Sequence, residues 1–245
     1  PLQQPVDLLL LTLLSLALAA LPFLNFAPNR LVAGEPLMGS QISRFGLLLV
    51  PLLTLWLLLW RPPTRVNLVL ALLAAQLMLA AILWLSGHQA TLLSQQGSRL
   101  ARTSFASGLW CSGALLLLLI TDRVRQITRH RLAQLLLNLQ VWLLPLLLLF
   151  SGQLSDLSLL KEYANRHAVF DAALGRHLTL LAGTVLPALL IALPLGVLLF
   201  RRPGWQSGVF GVLNVIQTVP SVALFGLLIA PLAGLANHFP WLGAW

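Results

Sequence analysis

The sequence predicts an all-α polytopic membrane protein with about seven transmembrane helices and one further helix on the extracytoplasmic surface. Hydrophobic residues make up 58% of the 245 residues and charged residues only 9%, whereas soluble domains carry about a quarter charged residues. So little charge cannot cover a globule of this size with polar surface, so lipid must cover part of it. Apolar runs of about 20 residues, the length that crosses a bilayer, recur along the chain.

Seven segments are predicted to span the membrane, because about 20 apolar residues rising about 1.5 Å each match its thickness. They are residues 8–27, 45–60, 66–86, 105–121, 132–151, 178–200 and 208–232. The first is interpreted as a retained span and not a signal peptide, since its apolar character continues past the cleavage-like triplet 17–19. Pro62 and Pro63 cannot continue a helix, so the second and third spans are predicted to form an antiparallel hairpin.

The basic residues predict the orientation of the chain. The net charge of +9 is scattered between the apolar runs, which is typical of membrane interfaces and argues against nucleic-acid binding. One set of alternate loops is short and carries Arg61, Arg65, four arginines between residues 123 and 131, and the pair Arg201-Arg202. The opposite loops are longer and more thinly charged. The positive-inside rule therefore predicts a cytoplasmic N-terminus.

A polar but periodic stretch at residues 156–176 interrupts the series of spans. Leu157, Leu160, Ala164 and Ala168 form one apolar stripe, which predicts a helix on the outer surface that leads directly into the sixth span. An ordered loop helix without a special role is the alternative.

Composition also changes along the chain. Proline and glycine are rare inside the spans before residue 152 and frequent after it, and helix-breaking residues at membrane depth are tolerated where a cavity or a neighbouring helix satisfies the backbone. We therefore expect an accessory bundle of about five transmembrane helices at 1–152 and the outer helix at 153–177. The part that moves or lines a path is expected at 178–245.

The ionisable residues argue against chemistry within this chain. None of the six acidic residues lies in the middle of a predicted span, where an ion-coupled transporter needs an ionisable group. The sequence has no zinc-binding, phosphate-binding or serine-nucleophile motif. We therefore predict a protein that is not an enzyme, with no catalytic residue, metal or cofactor site in this chain.

Polar residues gather around a proline in the seventh span, at Gln217, Thr218, Pro220 and Ser221. Pro220 lacks an N–H group, so the carbonyl of Ile216 loses its helical partner. We expect the neighbouring side chains to compensate and to produce a kinked polar segment. Two interpretations stay open, a structural kink and a helix that bends as a path opens. The candidate path-lining set is Gln217, Thr218, Pro220, Ser221, Pro194 and Gly196.

Small residues recur four positions apart at Gly226, Ala230 and Gly234. Such a face lets another helix approach closely. We expect it to pack within the chain or against a second subunit.

The same region resembles a known family. His177-Leu-Thr-Leu, the run Ala-Leu-Pro-Leu-Gly-Val at 192–197, Arg201-Arg202 and the run Ile-Gln-Thr-Val-Pro-Ser-Val-Ala-Leu at 216–224 resemble permease subunits of ABC importers. The stretch from Gln217 is similar to the osmoprotectant branch, which takes up glycine betaine, carnitine or choline. The resemblance covers about residues 174–233, and the extension of about five spans before it is similar to the Yeh-type osmoprotectant permeases of enteric bacteria.

The resemblance implies a bacterial inner-membrane permease subunit that forms the translocation path. Its implied partners are a cytoplasmic ABC ATPase that binds ATP and Mg, a second permease subunit (identical or different) and a periplasmic solute-binding protein. Residues 178–245 would be the first part of a type I importer permease core.

The family's coupling motif, Glu-Ala-Ala in a later cytoplasmic loop, is not reached before Trp245. We therefore expect the sequence to be truncated at its C-terminus. Two alternatives stay open, a permease for another small solute such as an amino acid and a non-transporting membrane scaffold or regulatory subunit.

Overall fold

The computed structural model describes residues 4–97 and 100–239, and most of them are helical. Single 3₁₀ turns lie at Gly39–Gln41, Phe45–Leu48 and Pro203–Trp205. The helices and strands are α1 (Gln4–Ala20), β1 (Leu24–Ala27), β2 (Glu35–Leu37), α2 (Leu49–Leu59), α3 (Arg65–Gln96), β3 (Arg102–Phe105), α4 (Ser107–Ile127), α5 (Arg131–Gln140), α6 (Leu143–Phe150), α7 (Ser158–Arg201), α8 (Gln206–Thr218) and α9 (Ser221–His238).

The described helices confirm an all-α polytopic membrane protein. Five helical segments are long and apolar enough to cross a bilayer, namely α3, α4, the α5–α6 stretch Arg131–Phe150, α7 and α9. Two shorter apolar helices, Pro5–Ala20 and Phe45–Leu59, correspond to the first two predicted spans. The count of seven spans stays a prediction.

Several predicted boundaries were wrong in an informative way. The first helix ends at Ala20 and not at residue 27, because residues 24–27 form β1. The predicted fifth span consists of two helices that meet at Val141 and Trp142. The helix expected at 156–176 does lead directly into the sixth span, as predicted, because both are parts of α7, whose backbone leaves helical geometry at Arg166 (φ −134°, ψ 20°). The position of this helix at a membrane surface stays a prediction.

By its contacts the chain divides into two compact units, residues 1–170 and 171–245. The predicted domain boundaries at 152 and 177 stay predictions. In the second unit the described part of α9 buries none of its residues, and its leucines and Phe225 are exposed. Exposed apolar surface of this extent needs lipid or protein to cover it.

The core of the first unit forms around α3, which contacts α2, α4 and α6. Ala75, Met78 and Ile82 of α3 have no exposed surface. They pack with Leu116 of α4 and Leu14 of α1 in one buried cluster. Alanine on this face permits the close helix approach on which packing inside a membrane depends.

Two glycines mark the closest approaches of backbone in this unit. A Cβ at Gly87 of α3 would lie 2.2 Å from the carbonyl oxygen of Gln153. A Cβ at Gly108 would lie 2.7 Å from the carbonyl oxygen of Pro22, which also accepts a 2.8 Å hydrogen bond from the Gly108 N–H. Both neighbours are backbone, so a side chain at either position must displace a chain segment.

A small antiparallel sheet joins the α1–α2 connection to the α3–α4 connection, with strand order β2-β1-β3. Asn25 of β1 is the register partner of Pro36 on one side and of Ser104 on the other. Pro36 lies in an edge strand, where a missing donor is tolerated. The sequence prediction contained no strand, because segments of three or four residues give too short a pattern to separate from a loop.

We expect Gly87→Ala to lower the free energy of unfolding by about 1–3 kcal/mol, because the added methyl group forces α3 away from residue 153. The matched control is Gly113→Ala in α4, where an added Cβ meets no described atom within 4 Å. It should be neutral or stabilising by up to about 1 kcal/mol through helix propensity. Thermal unfolding of the full-length protein in detergent measures both, and equal midpoints for the two variants would contradict the close approach.

Candidate functional site

The predicted polar segment around Pro220 is a complete break between two helices. Helix α8 ends at Thr218, Val219 is extended (φ −77°, ψ 121°), and α9 begins at Ser221. Proline disfavours helical geometry in the residue before it, which explains the conformation of Val219. The prediction of one kinked span over residues 208–232 was therefore wrong, and the structure has α8 and α9 in its place.

Backbone groups and one hydroxyl satisfy the break. The Val219 N–H donates to the carbonyl of Ile216 at 3.3 Å, and the Leu224 N–H donates to the carbonyl of Pro220 at 3.0 Å. The Thr218 hydroxyl donates to the carbonyl of Val215 at 2.6 Å. The carbonyl of Ile216, for which side-chain compensation was expected, is thus satisfied by a backbone N–H, while Thr218 compensates the preceding carbonyl of Val215. The side chains of Gln217 and Ser221 make no hydrogen bond with any residue in the described ranges.

The other two candidate path residues lie in a different helix. Pro194 and Gly196 are inside α7, which continues through Pro194. A Cβ at Gly196 would meet no described atom within 4 Å. The structure thus brings Gln217, Thr218, Pro220 and Ser221 together at one break and leaves these two apart in α7. A path-lining role for any of the six stays a prediction.

The small-residue face of α9 has no packing partner within the described chain. A Cβ at Gly226 or at Gly234 would find no described atom within 4 Å, and Ala230 is exposed. Packing of Gly226, Ala230 and Gly234 against another helix stays a prediction.

An ion pair that the sequence prediction missed joins α1 to α4. Asp7 and Arg123 pair through Oδ1 and Nη2, with side chains that are 6% and 11% exposed. The prediction assigned Arg123 to a loop, but α4 continues to Ile127. The buried stripe of Leu116, Leu119 and Val124 extends past residue 121 and is the signal that would have revealed the longer helix.

A second charged cluster lies where α7 begins. Glu162 pairs with Arg30 and, at 3.4 Å, with Arg102. Lys161 pairs with Asp156 at 3.3 Å. These charged side chains are 23–49% exposed, so each pair contributes at most about 1 kcal/mol.

Hydrogen bonds attach the same segment to its neighbours. The Thr91 hydroxyl donates to Oδ2 of Asp156 at 2.9 Å, and Nζ of Lys161 donates to the Ser94 hydroxyl at 3.1 Å. The Ser158 hydroxyl donates to the carbonyl of Thr103 at 2.9 Å. Together these bonds fix the start of α7 to the end of α3 and to the sheet.

These features define the class of the protein. It is a multi-pass helical membrane protein with a helix break between α8 and α9. Residues 3–160 match the family described as the N-terminal domain of the ABC transporter permease YehY, and the chain belongs to that family. The resemblance to Yeh-type osmoprotectant permeases is thereby confirmed.

Three curated proteins are similar over shorter stretches. The osmoprotectant import permease protein OsmW of Salmonella typhimurium is 44% identical over 63 residues, which are 26% of this chain and 29% of OsmW. The choline transport system permease protein OpuBB of Bacillus subtilis is 39% identical over 61 residues, 25% of this chain and 28% of OpuBB. The carnitine transport permease protein OpuCB of Listeria monocytogenes is 38% identical over 62 residues, again 25% and 28% of the two chains.

The chain thus spans less than a third of the length of each of these relatives. No solved structure matches the sequence.

We expect Asp7→Asn and Arg123→Gln each to lower the free energy of unfolding by about 3–5 kcal/mol, because each leaves a buried charge without its partner. The double variant should lose less than the sum of the two, since it leaves no charge behind. Thermal unfolding of the full-length protein in detergent measures this cycle. Arg125→Gln, an exposed position on the same helix, is the control and should shift stability by no more than about 0.5 kcal/mol. Strict additivity would show that Asp7 and Arg123 do not interact.

Proposed function

We propose that the protein to which this chain belongs is the permease subunit of an ATP-driven ABC importer for osmoprotectants such as glycine betaine, choline or carnitine. The observation that carries the proposal is membership of the YehY N-terminal family over residues 3–160. The three relatives, whose names describe osmoprotectant, choline and carnitine permeases, support the class of solute.

In this proposal the chain forms part of the path for the solute and catalyses no reaction. A partner ABC ATPase on the cytoplasmic side would bind ATP and Mg and hydrolyse the nucleotide, and a periplasmic binding protein would deliver the solute. A second permease subunit, identical or different, would complete the path. The apolar exposed surface of α9 supports such a subunit, because it offers helix surface that the described chain leaves uncovered.

The proposed orientation has the N-terminus in the cytoplasm of a bacterium, with the protein in its inner membrane. Asp7 near the start of α1 lines the same cavity as Arg61 of the α2–α3 turn and Arg123 near the end of α4. The start of α1 therefore lies at the end of the bundle that contains the densest basic residues. The positive-inside rule assigns such an end to the cytoplasm.

The break between α8 and α9 is the proposed moving part of the path. Two consecutive extended residues, Val219 and Pro220, separate the helices, and neither helix spans the break with its own hydrogen bonds. A change of angle there therefore costs no helical hydrogen bond. Gln217 and Ser221, whose side chains have no hydrogen-bond partner among the described residues, are available to a solute or to water. Pro194 and Gly196 of α7 are proposed as a second lining element.

Uptake assays with and without the complete gene test this function. We expect loss of labelled glycine betaine, choline or carnitine uptake in the deletion strain, with restoration by the intact gene but not when the partner ATPase is inactivated. Loss of amino-acid uptake alone would favour the amino-acid permease. Unchanged uptake of every solute would favour the scaffold.

We expect the double variant Pro220→Ala, Gln217→Leu of the full-length protein to reduce betaine uptake by about tenfold, which corresponds to a barrier raised by about 1.4 kcal/mol. The reason is that alanine lets α8 and α9 fuse and leucine removes a polar group at the break. Membrane insertion, measured by the amount of protein in the membrane fraction, should stay normal.

The control for this variant is Pro231→Ala, which removes a proline from inside α9 where the helix is continuous. It should retain most of the uptake. Normal uptake by the double variant would contradict the role of the break.

A further inference from the structure

A cavity of about 340 Å³ lies between one end of α1, α2, α3 and α4, within the first unit. Most of its lining is apolar, and its five polar lining residues include two arginines and one aspartate. The apolar lining consists of Leu11, Leu55, Leu58, Leu59, Pro63, Leu68, Ala71 and Leu119. The polar lining consists of Asp7, Arg61, Asn67, Arg123 and Gln126. A site with this division of surface suits a ligand with a charged head and apolar chains.

The polar groups of the cavity leave positive charge without compensation. Asp7 pairs with Arg123, and Nη1 of Arg123 donates to Oε1 of Gln126 at 3.3 Å. The nearby carboxylate of Asp122 accepts from Nε2 of Gln126 at 2.6 Å. The side chain of Arg61 makes no hydrogen bond or ion pair with any residue of the described ranges. The three charged lining residues therefore give the cavity a net charge of about +1 at neutral pH.

Two guanidinium groups, those of Arg61 and Arg123, line the cavity. The Arg61 side chain is exposed and has no partner among the described residues, so its donors are available to an acceptor in the cavity. Nε of Arg123 is inaccessible to solvent and does not face the cavity. Phosphate oxygens match the geometry of guanidinium donors better than any neutral acceptor does.

Trp60 indicates the depth of this cavity in the membrane. It follows α2 directly, precedes Arg61 and is 78% exposed. Exposed tryptophan beside arginine is typical of the layer where lipid headgroups lie. The leucines of the wall would then face the acyl region, and the two arginines the phosphate layer.

We propose that this cavity binds the headgroup of an anionic phospholipid, with its phosphate held by Arg61 and Arg123 and the first part of its acyl chains against the leucines of α2. Basic pockets between transmembrane helices bind anionic lipid headgroups in this way. The bound lipid bridges the α2–α3 turn and the end of α4. The site does not depend on the proposed transport function, since all its residues belong to the first unit.

The test uses the full-length protein purified in detergent and titrated with phosphatidylglycerol while its thermal midpoint is followed. We expect a saturable rise in the midpoint that phosphatidylcholine does not produce. Arg61→Gln should raise the half-saturating lipid concentration by about tenfold, the loss of one charge-assisted hydrogen bond. Arg61→Lys, which keeps the charge, should recover part of this loss.

The matched control is Arg65→Gln. Arg65 is four residues after Arg61, its side chain is exposed, and it does not line the cavity, so the variant removes the same charge outside the site. It should change the half-saturating concentration by less than about twofold. An equal effect of Arg65→Gln and Arg61→Gln would overturn the site in favour of general attraction to a basic turn. An equal response to phosphatidylcholine would overturn it as well.

Two further measurements distinguish a bound lipid from a soluble phosphate compound. Glycerophosphoglycerol carries the same phosphodiester without acyl chains, and a midpoint rise with it equal to that with the lipid would overturn the lipid in favour of a soluble phosphate compound. Native mass spectrometry of the wild-type protein measures the number of bound phospholipids directly and needs no variant. We expect about one phospholipid per chain to survive delipidation, and complete loss of lipid without any change in the midpoint would contradict the proposal.

Discussion

A chain inside a bilayer must satisfy its own backbone hydrogen-bonding groups, because lipid offers no replacement for water. This constraint accounts for the helices that cover most of the described residues and for the place of each exception. The three strands lie in the connections that follow α1 and α3, and they pair with one another. At the break before Ser221 the neighbouring N–H groups of Val219 and Leu224 find carbonyls within three or four residues. Irregular backbone is therefore present without leaving these groups unpaired.

The first unit shows how such a bundle reaches close packing with few polar residues. Alanine, methionine and isoleucine on α3 fill its centre, and Gly87 lets the backbone at residue 153 touch the helix. Charged groups then hold its two ends, the Asp7–Arg123 pair at one and the Glu162 cluster at the other. The buried pair and the exposed cluster differ in kind. The first is costly to break and specifies how α1 meets α4, while the second is weak pair by pair and gains from its several hydrogen bonds.

The sequence allowed the class, the approximate positions of the helices and the special character of Pro220 to be predicted, because long apolar runs and a proline among polar residues have direct physical consequences. It did not allow the strands to be predicted, since four residues such as those of β1 carry no usable period. It placed Arg123 in a loop because charge outweighed the apolar stripe on the same helix face. The contact between Gly87 and residue 153 depends on tertiary packing and leaves no local signal. At the candidate site the sequence indicated the polar residues, but it did not show that Val219 would become extended and end α8.

The middle position of β1 in the sheet has a consequence for the order of assembly. Its partner β2 follows within about ten residues, whereas β3 begins at Arg102, after the whole of α2 and α3. A two-stranded ribbon alone is marginally stable in water. During synthesis one edge of β1 therefore stays unpaired until α3 has been inserted and the chain has been synthesised to residue 105. The sheet is complete only after the first three helices have been inserted, and α7 can bind to it through Ser158 and Glu162 only after that.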